Sequence, residues 1–177
     1  ADEIHADLTF KPFVPYGTLG DDFTKNMVVC TAASKTFNLA GLGTSNIIIP
    51  DRELRERYAK YLYQNGIHDM GFFGRIATEI AYTQGGEWLD QLLDYLSGTL
   101  NFMEKYFKKQ IPQIKMIRPE GTYLVWLDCR ALGMPSAALS QFFFDKARVY
   151  LENGAIFGAD GEGFLRMNIA TPRKLVK

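Results

Sequence analysis

Apolar positions in this chain change their period several times, and each change marks an element. Met27-Val-Val-Cys-Thr31 and Asn46-Ile-Ile-Ile-Pro50 are short continuous apolar runs, the pattern of buried strands. From Asp51 to Gln64, Leu54, Tyr58, Tyr61 and Leu62 share one face of an amphipathic helix, with Asp51 as its N-cap after Pro50. Asn65-Gly66 ends it. A second helix is predicted over Phe72 to Tyr82, closed by the turn Gln84-Gly85-Gly86. Trp88, Leu92, Leu96, Leu100, Met103 and Phe107 then recur at spacings of three and four residues, one stripe along a long helix. These are core positions and are assigned no chemistry.

Beyond Pro112 the pattern shortens. Strands are predicted at Ile114 to Ile117 and Thr122 to Asp128, and a helix from Pro135 to Lys146 with Pro135 in its first turn. Further strands at Val149 to Leu151 and Phe164 to Ala170 complete a small α+β unit, with turns at Asn153-Gly154 and Asp160-Gly161. The expected organisation is α/β: residues 1–85 from a large domain, 86–112 as a linking helix, and 113–177 as a small carboxy-terminal domain.

Chemistry concentrates between the two apolar runs, in Thr31-Ala-Ala-Ser-Lys-Thr-Phe-Asn-Leu-Ala-Gly-Leu42. Lys35 stands there in a turn of small and hydroxyl-bearing residues where a strand ends. Open α/β sheets bind ligands outside the carboxyl ends of their strands. A lysine desolvated in such a crevice has a lowered pKa and serves as a Schiff-base nucleophile or proton carrier. A solvated surface lysine is the ordinary alternative, but Thr31, Ser34, Thr36, Asn38 and Gly41 form a mixture that a plain connector does not require.

Asp2-Glu-Ile-His-Ala-Asp-Leu8 alternates acidic and apolar residues at what reads as a strand end, with Asp2 and Ile4 on one face and Glu3 and His5 on the other. A carboxylate in a cofactor pocket keeps a pyridine nitrogen protonated, because opposite charges close together favour the ionised pair. Taken alone, the run fits a solvated strand end equally well.

Together the two runs resemble the fold-type I enzymes that depend on pyridoxal phosphate (PLP), in the class I/II aminotransferase branch that holds the cystathionine β-lyases and related C–S lyases. The resemblance implies the aspartate aminotransferase-like fold, with residues 1–85 as the carboxy-terminal part of the PLP-binding large domain. It implies that Asp2 pairs with the pyridine nitrogen and that Lys35 is the lysine that bonds to the cofactor aldehyde. His5 stands where aminotransferases place a tyrosine near the phenolic oxygen, which points to the lyase subgroup. Thr31 and Ser34 take the phosphate-side hydroxyl positions. Gly161-Glu-Gly-Phe-Leu-Arg-Met-Asn-Ile-Ala170 resembles the strand whose arginine binds the substrate α-carboxylate, so that role falls on Arg166, with Asn168 on the same face to orient it. Arg173 reads as a surface or helix-start charge. Pro119-Glu-Gly-Thr-Tyr-Leu-Val-Trp-Leu-Asp128 resembles the family's first small-domain hairpin strand.

One departure stands out. Many aminotransferases carry a phosphate-binding arginine shortly after the lysine, where this chain has Gly41, Leu42, Gly43, Thr44 and Ser45. The phosphate must then be held differently, and backbone amides and hydroxyls can do it, helped by groups outside this chain. Gly41-Leu-Gly43 is too short to be a separate nucleotide motif. The resemblance also covers only the second half of the family: an amino-terminal arm, a phosphate-binding turn and a ring-stacking aromatic do not precede Asp2. The expectation is a carboxy-terminal fragment, inactive by itself.

For the intact enzyme the resemblance implies β-elimination. The substrate amine displaces Lys35, Arg166 holds the carboxylate, and Lys35 removes the α-proton as general base. Asp2 keeps the ring protonated as an electron sink, a thiolate leaves, and pyruvate and ammonia follow. The implied substrates are sulfur amino acids: L-cystathionine, L-cysteine or another S-substituted cysteine. An aminotransferase of the same fold is one alternative, and a non-catalytic fragment or interaction module is another. A regulator sharing the fold has no helix-turn-helix segment to support it. Family members are homodimers, and a fragment that exposes apolar faces is expected to self-associate.

Composition narrows the classes further. Twenty Lys and Arg balance twenty Asp and Glu, which argues against an electrostatic nucleic-acid binder. Two cysteines, Cys30 and Cys129, both in apolar strand contexts, suit reduced buried thiols rather than a secreted disulfide scaffold. No apolar run reaches the length of a membrane span, and a cytoplasmic enzyme is expected. His68 beside Asp69 has no second metal-type residue at useful spacing, so neither histidine supports a zinc site and no metal is expected.

Overall fold

In a computed structural model that describes residues 1–67 and 71–176, a one-turn helix α1 (Asp21–Thr24) precedes strand β1 (Val29–Thr31). Only the last three residues of the predicted run are strand. A second one-turn helix, α2 (Ala33–Thr36), carries Lys35, and strand β2 (Asn46–Ile48) returns antiparallel to β1 with Thr31 opposite Asn46.

The helix expected after Pro50 is α3 (Arg52–Gln64), and Asp51 caps it by accepting the Leu54 N–H at 2.7 Å. Its predicted apolar face is only partly covered: Leu54 and Leu62 are half-buried, while Tyr61 is 62% exposed. Helix α4 (Phe72–Gln84) runs one turn-fragment past the predicted end and stops where the Gly85 N–H donates to Ala81 O. His68, with Asp69 and Met70, lies outside the described residues.

The chain divides into two compact units, Ala1–Leu92 and Leu93–Lys177, and the boundary falls within the long helix α5 (Gly86–Gln110). In the second unit the predicted stripe buries Leu96, Leu100 and Met103 almost completely. Strands β3 (Lys115–Ile117) and β4 (Leu124–Asp128) follow, then helix α6 (Ser136–Phe142), strands β5 (Glu152–Asn153) and β6 (Phe164–Asn168), and the terminal turn α7 (Arg173–Val176). The sheet order is β3-β4-β6-β5, antiparallel throughout. Val125, Leu127 and Leu165 are fully buried on its covered side together with Leu139 of α6.

One expectation in this unit holds and one is corrected. The predicted helix from Pro135 to Lys146 is formed as α6 continued by a wider π-type turn over Phe143–Ala147, and it ends at Arg148 in the left-handed region, φ 57°. That reversal moves the following strand from Val149–Leu151 to Glu152–Asn153, where pairing with Arg166 and Leu165 becomes available.

Arg173 is also more than a surface charge. Its backbone N–H donates to Tyr95 Oη at 2.7 Å, its Nε to Thr99 Oγ1 at 3.1 Å and its Nη2 to Tyr95 O at 3.0 Å. A Cβ at Gly98 would come within 2.7 Å of that guanidinium, so the glycine makes room for it. The carboxy-terminal segment is thereby docked on α5.

Candidate active site

Two runs of the first unit, residues 1–8 and 29–36, are pinned together in two places. Cys30 N–H donates to Ala1 O and Glu3 N–H to Cys30 O, both at 2.9 Å, so Asp2 forms a parallel bridge with Cys30. Farther along, Thr36 Oγ1 donates to Asp7 Oδ2 at 3.0 Å. Asp2 therefore lies beside the strand that ends at Thr31, and Lys35 follows directly in α2. The carboxyl ends of adjacent parallel segments are where α/β folds collect ligand-binding groups.

The acidic run is not an alternating strand beyond Asp2. Asp2 Oδ1 accepts the Ile4 N–H at 3.1 Å, an Asx-type turn that competes with further pairing. Ala6 N–H then donates to Glu3 O, and Leu8 N–H to His5 O, each at 3.0 Å. His5 is half-buried within this turn and Leu8, at 0% exposure, anchors it. Strand parity consequently does not govern which way Glu3 and His5 face.

Around Lys35 the sequence builds a rigid platform. Ala33 and Thr36 are buried, Ser34 is half-buried, and Lys35 is exposed where a desolvated amine was expected. Phe37 packs edge-on against Tyr82 at 5.9 Å and tilted against Trp88 at 5.7 Å between ring centres. Burial raises the Tyr82 phenol's pKa, with a smaller push from the Asp7 carboxylate. Asn38 reverses the chain at φ 57°. Thr31 Oγ1 accepts from Asn46 Nδ2 at 3.3 Å across the β1–β2 pair, which fixes one of the two proposed phosphate-side hydroxyls.

Arg166 belongs to the second unit, on β6 opposite Trp126 of β4 and Glu152 of β5. Its Nε donates to Glu152 Oε2 at 2.5 Å, and its Nη2 contacts the same oxygen. The guanidinium also lies over the Phe157 ring, 4.4 Å from its centre, and Phe157 packs against Trp126. Phe157 is held there by a close backbone crossing: a Cβ at Gly161 would sit 2.0 Å from Gly154 O. Asn168, expected to orient Arg166, instead accepts the Ala170 N–H at 2.8 Å.

The remaining titratable features of this unit are structural. Asp128 accepts Arg130 Nε at 2.9 Å and Nη2 at 2.8 Å, and that charged bond lowers the Asp128 pKa to about 2. Burial, with help from the Asp128 charge, pushes the Cys129 thiol up to about 11, which makes it a poor nucleophile. Among the described residues, no group of three His, Cys, Asp or Glu side chains is arranged to hold a metal ion, and no helix is long and apolar enough to cross a membrane.

The family model for aminotransferase class I and II matches residues 1–177. The chain belongs to the class I and II aminotransferase family. Within it, the chain is 43% identical over 170 residues to cystathionine β-lyase PatB of Bacillus subtilis, an alignment covering 95% of this chain and 44% of that protein. It is similar in structure to cystalysin from Treponema denticola, which contains a pyridoxal 5'-phosphate cofactor, at TM-score 0.94 and 36% identity, covering 99% of this chain and 45% of that one. The PLP-bound C–S lyase of Staphylococcus hominis superposes at TM-score 0.87 with 29% identity, covering 99% and 45%. The chain thus has the PLP-dependent aminotransferase-like fold and spans less than half the length of these relatives.

Three residues, two in the first unit and one in the second, had no role assigned from sequence. Asp7 lay inside the quoted acidic run, but its bond to Thr36 depends on the turn that follows Asp2. Asn46 reaches Thr31 only through the strand register. Glu152 sits just past the predicted strand, and its pairing with Arg166 becomes visible only once the π-type turn has shifted that strand.

Proposed function

We propose that this chain contributes the carboxylate, the lysine and the substrate-binding arginine of a PLP-dependent C–S lyase of the cystathionine β-lyase type. The observation that carries this is the double pinning of the acidic run to the lysine turn, through Asp2–Cys30 and Asp7–Thr36, in a chain 43% identical to a cystathionine β-lyase. The donor set fits the cofactor chemically: a carboxylate at Asp2 for a protonated ring nitrogen, an exposed primary amine at Lys35 for an aldehyde, and hydroxyls at Thr31 and Ser34 for a phosphate. By the family resemblance, His5, half-buried in the same turn, would serve beside the cofactor's phenolic oxygen.

Bound here, PLP supplies the electron sink for a carbanion at the substrate α-carbon. The chain's residues do the rest. Asp2 holds the proton on the ring nitrogen. Lys35 would hold the cofactor through its aldehyde, and its Nζ as a free amine would take the α-proton as general base. Arg166 binds the α-carboxylate of an S-substituted cysteine and fixes its orientation. Loss of the β-thiolate and hydrolysis give a thiol, pyruvate and ammonia.

The exposure of Lys35 bears on how much of the site this chain supplies. Water exclusion around the amine must come from the part of the family length the chain does not span, or from a second subunit of a homodimer. Phe72, Phe73, Tyr61 and Tyr63, each more than 60% exposed, are the kind of apolar surface that such packing covers. By itself the chain is then inactive in C–S cleavage.

The test is pyruvate release from L-cystathionine, without a keto-acid acceptor, by the family-length protein that carries this chain. Acceptor-independent pyruvate, abolished in Lys35→Ala, is the expected result. Turnover that requires a keto acid would make the protein a transaminase instead. Borohydride reduction of the family-length protein loaded with PLP, followed by peptide mass spectrometry, reads the lysine separately: label at Lys35 alone is expected and label at another lysine would overturn the assignment, whereas scattered label on the chain alone would mean only that its half of the pocket is not organised by itself.

A further inference from the structure

The arginine assigned to the substrate carboxylate already holds a carboxylate from its own chain. Glu152 and Arg166 are direct cross-strand partners on β5 and β6, and two guanidinium nitrogens, Nε and Nη2, converge on Glu152 Oε2. That Nε–Nη2 edge is one of the two forks, the other being Nη1–Nη2, with which an arginine grips a carboxylate. On the other side Phe157 covers the guanidinium face at 4.4 Å, so the group is confined between a ring and an acid. Glu152 remains 42% exposed and has room to swing away, whereas Arg166 is 28% exposed and is held by its packing.

We propose that Glu152 is an internal competitor for the carboxylate site: it occupies the Arg166 fork and must be displaced before a substrate carboxylate binds there. The inference rests on the assignment of Arg166 to the substrate carboxylate. Its consequence is selective weakening. A ligand whose only hold is a carboxylate on the Nε–Nη2 edge must displace Glu152, so simple monocarboxylates are disfavoured there and binding depends on the further contacts that an S-substituted amino acid makes. Glu152 does not touch the reacting atoms and acts only through Arg166, as a positioning and specificity-setting residue.

The experiment uses the family-length holoenzyme with two variants, Glu152→Gln and Arg166→Lys, and two readouts. One is the split between KM and kcat for L-cystathionine. The other is the inhibition constant of propionate, which offers a carboxylate and no amine. Glu152→Gln removes the competing charge at nearly constant volume. It is expected to lower both KM and the propionate constant about three- to fivefold, the range of a partly exposed ion pair, and to leave kcat within about twofold. Arg166→Lys is expected to raise both constants well over tenfold. If Arg166→Lys raises them but Glu152→Gln leaves them unchanged or raises them too, Glu152 supports the arginine rather than competing with it, and the inference falls alone. If Arg166→Lys leaves both constants unchanged, the carboxylate assignment itself falls.

Discussion

Thr36, 1% exposed, donates its hydroxyl to Asp7 Oδ2 at 3.0 Å and so ties the residue after Lys35 to the run that begins with Asp2. Two segments separated by the whole of β1 are tied by this part-buried polar contact in addition to the Asp2–Cys30 bridge. A valine at position 36 keeps the shape and deletes the donor, leaving Asp7 with a lost partner. Thr36→Val is expected to destabilise the chain by about 1–3 kcal/mol in urea unfolding, the usual cost of orphaning a buried polar group. Thr36→Ser, which keeps the hydroxyl, should recover most of it. Equal stabilities for Thr36→Val and the parent would show that the contact does not register the two segments.

Gly85 is where the α4 helix end meets Phe37. A Cβ there would lie 2.4 Å from Ala81 O and 2.5 Å from Phe37 Cε1, distances that require something to move. The backbone oxygen cannot yield easily, so Phe37 must leave its place between Tyr82 and Trp88. Gly85→Ala is expected to cost about 1–3 kcal/mol, the range for overpacking. Because Phe37 lies two residues from Lys35, the variant should also lower the yield of pyridoxyl-Lys35 after borohydride reduction. Full labelling in a destabilised Gly85→Ala would separate the packing of Phe37 from the placement of the lysine.

Period alone located the long elements because they bury one continuous face. Leu96, Leu100 and Met103 fall on the α5 stripe and are nearly inaccessible, and Asp51 caps α3 as its position after Pro50 indicates. The family motifs name Asp2 and Lys35, and the Asp2–Cys30 bridge brings the acidic run beside the strand that leads into the lysine turn. What was not legible were features set by single turns. The Asp2 side chain closes an Asx-type turn that ends the alternation, and β5 begins three residues and ends two residues later than the predicted strand, after the π-type turn that follows Phe142. Neither leaves a periodic trace. The Glu152–Arg166 pair follows from that shift, so it stayed hidden although both residues are plain in the sequence. The desolvation expected of Lys35 failed for a different reason: burial is a property of everything that packs around a side chain, and this chain alone leaves the amine exposed.

Asp128 and Arg130 give the second unit a pH signature of its own. The Arg130 guanidinium, bonded through Nε and Nη2, lowers the Asp128 pKa from 3.8 to about 2. A carboxyl whose folded pKa lies below its unfolded value binds fewer protons when folded, so acid favours the unfolded chain. The contribution is therefore fully present above the unfolded value, near 3.8, and is lost as pH falls from there through about 2. Asp128→Asn removes the titration, as does Arg130→Gln, which takes away its cause. In urea unfolding the parent chain should lose more stability between about pH 4.5 and pH 2.5 than Asp128→Asn does, and the curves should converge at the acid end. Because Arg130 is exposed and screened by solvent, the difference should shrink in 1 M salt, roughly a Debye length of 3 Å. Parallel acid profiles for the parent and Asp128→Asn would mean that the pair forms no better in the folded chain than in the unfolded one.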